Sequence, residues 1–260
     1  MIRKILTLII VQLILIEAYS QKFNDFFGTE SNNNEKKGYV TSNLDSALKD
    51  PLSVEKYLIY GQEFKEIPND LVKLTNLKKL EIRNTSITDL PKWLFNLNSL
   101  TVLIIELSPI KEMPLEIRNL HKLNELKISC TLIKELPSEV GELDLLTSLD
   151  ISENSLDSLP GTLGNLKHLE FFSARFNRLL HFPAFLCELS KLNNVDLGCN
   201  YIESIPKDIS KLGNAYSLAI DQNRLSKKQV KKVIKYLPGT HIDFSSQFYY
   251  THEIFWKNKY

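Results

Sequence analysis

The chain is poor in the residues from which many sites are built. It has 3 cysteines, 5 histidines and a net charge of +1 in 260 residues. Near-neutrality removes any overall bias toward nucleic acid or membrane. A shared metal site needs converging ligands, but His121, His168, His181, His241 and His252 are scattered along the chain. There is no Gly-rich phosphate loop, no G-x-S-x-G and no C-x-x-C, so the motifs that would carry phosphate, acyl or thiol chemistry are missing. Pairs such as Asp150 and Glu153 read as ordinary surface charges. No catalytic residue, cofactor or metal is expected, and the chain reads as a non-enzyme.

No apolar run is long enough to span a bilayer comfortably. Ile5–Ile16 is apolar apart from Thr7 and Gln12, but is only 12 residues long where a span needs about 20. With Arg3 and Lys4 before it and Ala18-Tyr19-Ser20 after it, the segment reads as a secretory signal over 1–20. An uncleaved anchor is the alternative. Residues 21–40, with Asn32-Asn33-Asn34 and Lys36-Lys37, form a polar lead-in. The expected location is secreted, periplasmic or envelope, with no stable membrane insertion once the signal is removed.

What is abundant is a repeat. Leu77, Leu100, Leu123, Leu146, Leu169 and Leu192 are each 23 residues apart, with Val54 and Ala215 continuing the series. Periods of 20 to 50 residues signal a solenoid. In the copy LTSLDISENSLDSLPGTLGNLKH, Leu149 and Ile151 alternate with Ser148, Asp150 and Ser152, the pattern of a half-buried strand. From Leu159 to Leu166 the apolar spacing is three and four, which suits a short helix or 3₁₀ turn started by Pro160. One repeat cannot bury its apolar edge alone, so copies must stack. At about 4.8 Å per strand, eight make a sheet roughly 35 Å long.

The pattern L-x-x-L-x-L-x-x-N-x-L-x-x-L-P-x-x-L-x-x-L-x-x resembles the leucine-rich repeat family, in its 23-residue Leu-Pro class. That class includes bacterial leucine-rich repeat proteins and Ras-linked scaffolds. The resemblance covers about 54–243 and implies an α/β solenoid: a horseshoe with a parallel concave β-sheet and short helical or 3₁₀ convex segments. It also implies a ladder of ninth-place asparagines bonded to neighbouring turns. Asn154, Asn177, Asn200 and Asn223 match, whereas Gln62, Thr85, Ser108 and Thr131 depart, so the ladder should be better satisfied in the second half. The domain reading is a cap helix in 41–53, repeats over 54–225, and a cap helix and aromatic tail over 226–260. Cys130 and Cys199 share a repeat place three copies apart, roughly 14 Å, beyond disulfide reach. Three free thiols are therefore expected, without the disulfide-stapled caps of many extracellular eukaryotic relatives.

Strand positions facing solvent have no core to fill, so large apolar residues there call for a reason. Two clusters result: Val102, Ile104, Leu107 and Leu132; and Phe171, Arg175, Phe176, Arg178 and Tyr201. Exposed aromatics with arginine are typical of binding hot spots. The expected function is recognition of a partner protein on the concave face; binding of a carbohydrate or envelope polymer is the alternative. Alanine at Phe171 or Arg175 should weaken binding and leave thermal stability nearly unchanged. Charges along the rest of the face are mixed, so no stripe for nucleic acid exists. Lys227, Lys228, Lys231, Lys232 and Lys235 read as the solvated face of the rear cap, with an anionic-surface patch as the alternative.

Overall fold

The computed structural model describes residues 40–244 apart from Ser42. The signal segment, the lead-in as far as residue 39 and the aromatic tail from 245 lie outside the described residues.

Ten strands form one open, all-parallel sheet in chain order. They are β1 (Val40–Thr41), β2 (Lys56–Tyr60), β3 (Lys79–Arg83), β4 (Val102–Glu106), β5 (Glu125–Ser129), β6 (Ser148–Asp150), β7 (Phe171–Ser173), β8 (Asn194–Asp196), β9 (Ser217–Ala219) and β10 (His241–Asp243). From β2 to β9 each residue pairs with the one 23 positions on, as in Lys56 with Lys79 and Val102 with Glu125, so the sequence period is the strand register. Because strand side chains alternate, Leu80 and Ile82 enter the core while Lys79, Glu81 and Arg83 share the opposite face. In the clearest repeat Leu146, Leu149, Ile151, Leu156, Leu163 and Leu166 are all fully buried, and Leu159 packs at the edge of the same continuous core.

Between β2 and β9 each return path is a single 3₁₀ turn, such as Gly161–Asn165. Proline stands immediately before six of these turns, at Pro68, Pro91, Pro114, Pro137, Pro160 and Pro183. It is the capping residue and not the first helical one. In extended conformation it offers its carbonyl to the N–H three residues on, as Pro160 does to Leu163 at 3.2 Å.

Among the described residues two α-helices flank the repeats. Helix α1 (Leu44–Ala47) is capped by Asn43, whose side chain accepts from the Ser46 N–H at 3.1 Å. Helix α2 (Lys227–Tyr236) is capped by Ser226 and buries Val230 and Val233.

The ninth-place ladder differs between halves. Asn177 Nδ2 reaches the carbonyls of Ile151, Ala174 and Arg175 at 2.9–3.4 Å, while its Oδ1 accepts from Leu156 N–H at 3.0 Å. Asn200 and Asn223 repeat this set. In the first half Thr85 and Ser108 instead share one hydroxyl–hydroxyl bond of 2.9 Å, and the Ser108 oxygen accepts from the Thr85 N–H at 3.3 Å.

Candidate functional site

The outer face of the sheet divides into two regions of different character. On the first half, charges neutralise one another. Glu81 is held by Lys79 at 2.8 Å and by Arg83 at 2.6 Å, Arg83 also pairs with Glu106, and Lys127 bridges Glu106 at 2.5 Å and Asp150 at 3.4 Å. Burial by itself would raise the Glu81 carboxyl, but bonding to Lys79 and Arg83 outweighs that and holds it below its ordinary range.

This network corrects the reading of the first apolar cluster. Ile104 stands in register between Glu81 and Lys127 and is only 4% exposed, outside the main core yet shielded from solvent. Side chains on neighbouring strands are close enough to cover a residue between them. Val102 and Leu107 are half-buried, and only Leu132 is open. Ile104 is thus lost from the solvent-facing surface, while Val102, Leu107 and Leu132 keep partial or open exposure.

On the rear half the aromatic residues are exposed. Phe176 is 41% and Tyr201 37% accessible, and Arg178 is exposed. All three lie where the chain leaves the strands. Phe176 occupies a left-handed turn, φ 54°, at a place that is also left-handed in Asn84, Leu107, Cys130, Glu153, Cys199 and Gln222, and is glycine only at Gly61. The turn is thus a property of the repeat, and it carries Phe176 out of the sheet. Tyr201 lies beneath the Arg224 guanidinium, 4.4 Å from its ring centre, so the rim runs Phe176, Arg178, Tyr201, Arg224. Phe171 is similarly open, but it starts β7 at the far end of the strand, on the order of 15 Å from Phe176.

Arg175 plays a different part from its neighbours. Both terminal nitrogens bond Asp221, at 2.7 and 2.8 Å, and the guanidinium also meets Asp196 at 3.3 Å and Cys199 Sγ at 3.3 Å. The Asp221 side chain is 3% exposed. The guanidinium stands 5.0 Å from the Phe176 ring centre. Bonding to Asp221 raises the Arg175 pKa further, while burial raises that of Asp196 despite Arg175 nearby. A Cβ at Gly198 would overlap both Arg175 Nη1 and Asp221 Oδ1, so that glycine makes room for the pair. Arg175 is therefore a brace under Phe176, and its removal should lower stability as well as binding, contrary to the expectation from sequence. The signal was present in the seventh-place series Arg175, Gly198, Asp221, a cation and an anion across a residue without a side chain. Arg224 was likewise readable as the tenth-place successor of Arg178 and Tyr201.

The thiols are quiet. Cys130, Cys187 and Cys199 are free. Burial pushes Cys187 and Cys199 up to about 11, and burial with Glu153 alongside pushes Cys130 higher still, so none is a thiolate nucleophile at neutral pH. Among the described residues no group of His, Cys, Asp or Glu is arranged to hold a metal ion, and no helix is long and apolar enough to cross a membrane.

Comparison with known proteins agrees with this geometry. Residues 116–241 match the pattern of the leucine-rich repeat region; no curated protein matches the chain. A leucine-rich repeat protein of Leptospira interrogans is similar in structure with a TM-score of 0.67 at 25% identity, covering 80% of this chain and 59% of its own. An internalin of Listeria monocytogenes reaches 0.61 at 21% identity, covering 80% and 66%. A plant peptide hormone receptor, solved in complex with RGF2, reaches 0.61 at 23% identity, covering 74% and 32%. The chain thus spans less than two thirds of each of these proteins, and the likeness to the last two is one of fold. From the 23-residue register, the parallel sheet with 3₁₀ returns and the matched repeat region, residues 116–241 are a leucine-rich repeat region and the described residues form a leucine-rich repeat solenoid.

Proposed function

We propose that this is an exported, non-enzymatic scaffold that recognises a partner protein on the rear half of the sheet face and its adjoining rim. The observation that carries the reading is the run Phe176, Arg178, Tyr201 and Arg224, large side chains held open to solvent where nothing in the fold requires them. Aromatics and arginine are the residues that dominate binding energy at interfaces. The repeat backbone fixes them before any partner arrives, which lowers the ordering cost of association. Export rests on the character of residues 1–20, and sequencing the N-terminus of the secreted protein should find Gln21 first.

The test is affinity capture from the native envelope and medium, with the wild-type chain beside Phe176→Ala/Arg178→Ala/Tyr201→Ala. A partner retained by the wild type and lost by the triple variant is the expected result. Equal capture by both chains overturns the assignment of the rim. Elution by soluble glycan would instead favour an envelope polymer as the ligand.

A further inference from the structure

Helix α2 carries a surface that the repeats do not explain. Between Lys227 and Tyr236 there are five lysines and no acid. Lys232 is occupied, its ammonium donating to the carbonyls of Ile205 and Pro206 at 3.1 and 2.9 Å. The other four are exposed, and among the described residues none has an acidic partner. At about 100° per residue, Lys227, Lys231, Lys235 and Lys228 fall within a single arc of roughly 100°. Ile234, 53% exposed, borders one side of that arc, and Tyr236, 43% exposed, lies beyond the other.

This arrangement works against the helix. Lys227–Lys231–Lys235 are like charges at four-residue spacing, which destabilises a helix. Lys227 and Lys228 stand in the first turn, the positive end of the helix dipole, where anions are favoured. An ordinary solvated helix face mixes signs and places acids first. Where local rules are broken without a structural gain, a functional constraint is the usual reason.

From this face we infer that α2 docks the solenoid onto an anionic lipid bilayer. Lysine ammoniums suit the diffuse charge of headgroups, with no need for the bidentate geometry of arginine. Ile234 separates a bilayer from a soluble polyanion, because only the bilayer interface takes up an apolar side chain beside the charges. Val230 and Val233, on the side of the helix turned from the lysines, enter the core, so the lysine face is presented to solvent.

The test uses the full chain and vesicles of phosphatidylcholine with or without about one-third phosphatidylglycerol. Binding to phosphatidylcholine alone measures whatever residues 1–20 contribute and is common to every variant. The wild type should bind the anionic vesicles at least about tenfold more tightly, and this excess should vanish between roughly 0.1 and 0.5 M salt. Lys227→Glu/Lys231→Glu/Lys235→Glu should abolish the excess with a melting temperature close to that of the wild type, because the acid gained in the first turn is offset by the acid placed in the last turn. Ile234→Ser should weaken binding several-fold and leave the salt dependence intact. Equal binding by the wild type and the charge-reversal variant overturns the proposal. So does an Ile234→Ser variant that binds as well as the wild type while a soluble polyanion displaces both, since the surface would then serve polyanions in solution.

Discussion

Removing the guanidinium of Arg175 would leave the Asp221 carboxylate, 3% exposed, without its main partner. Breaking a buried pair from one side is far more damaging than losing a surface ion pair. Arg175→Ala should therefore lower stability by about 2–3 kcal/mol. Phe176→Gly should behave in the opposite way: it gives up the exposed ring but relieves a left-handed non-glycine backbone, and stability should hold or rise by up to about 1 kcal/mol. Paired urea melts of the two variants would separate brace from contact, and similar losses in both would mean that Phe176 is structural as well. A depressed carboxyl such as Glu81 contributes stability that is present above its ordinary value of 4.5 and lost as pH falls through the lower folded value. Glu81→Gln should thus lower the melting temperature at neutral pH and flatten its decline below pH 4.5. At this scale the sequence was only partly legible. Phe176, Arg178 and Tyr201 stand out by type and place alone. That Ile104 is covered and Arg175 braced depends on pairings with Glu81, Lys127 and Asp221 across one and two repeats, which no linear motif announces.

The repeat unit itself was legible almost to the residue, because one apolar period serves both as strand alternation and as stacking register. Leu149 and Ile151 could enter the core only if the residues between them faced out, and the 23-residue spacing left a single way to pair neighbouring copies. Strand length was not legible. The strands shorten from five residues in β2–β5 to three in β6–β9, and in two of these short copies an aspartate captures a backbone N–H two residues on: Asp150 from Ser152 at 3.0 Å, and Asp196 from Gly198 at 2.9 Å. Such local bonds compete with regular strand geometry. Strand length therefore says little about which half is firmer, and the ninth-place ladder is the better guide. Asn177→Ala would orphan the buried Leu156 N–H and the carbonyls of Ile151 and Ala174, and should cost about 2–3 kcal/mol; Ser108→Ala, which loses a single hydroxyl, should cost about 1. Hydrogen exchange should be slower at Leu156, Leu179 and Ile202, whose N–H groups bond ladder asparagines, than at Ile87. Faster exchange at the asparagine-bonded amides would remove the ladder as the source of stability.

In a solenoid each repeat packs mainly against its neighbours, with Arg175–Asp221 reaching across two, so cooperativity passes through a series of joints. Among the described residues the sheet is open and runs from β1 to β10. The whole molecule unfolds as one unit only if every joint is strong enough to couple its two sides. The joint between the 3₁₀ turns Ser138–Glu142 and Gly161–Asn165 is the most sensitive to volume, because a Cβ at Gly141 would overlap the Thr162 carbonyl. Backbone cannot swing aside as a flexible side chain does, so Gly141→Ala must separate the two turns and should cost about 1–3 kcal/mol at the joint. Gly161→Ala is the matched control twenty residues on. Its Cβ would meet nothing within 4 Å, and restricting the unfolded chain should make it neutral or stabilising by up to about 1 kcal/mol. The two variants should differ in the shape of the transition as well as its midpoint. Gly161→Ala should keep a single steep denaturant transition. Gly141→Ala should give a broader one with a lower slope, since the surface exposed per cooperative step falls when the halves unfold separately. If Gly141→Ala only shifts the midpoint at constant slope, the coupling is carried by the continuous sheet and asparagine ladder, and the turns on the outer side merely fill the space behind them.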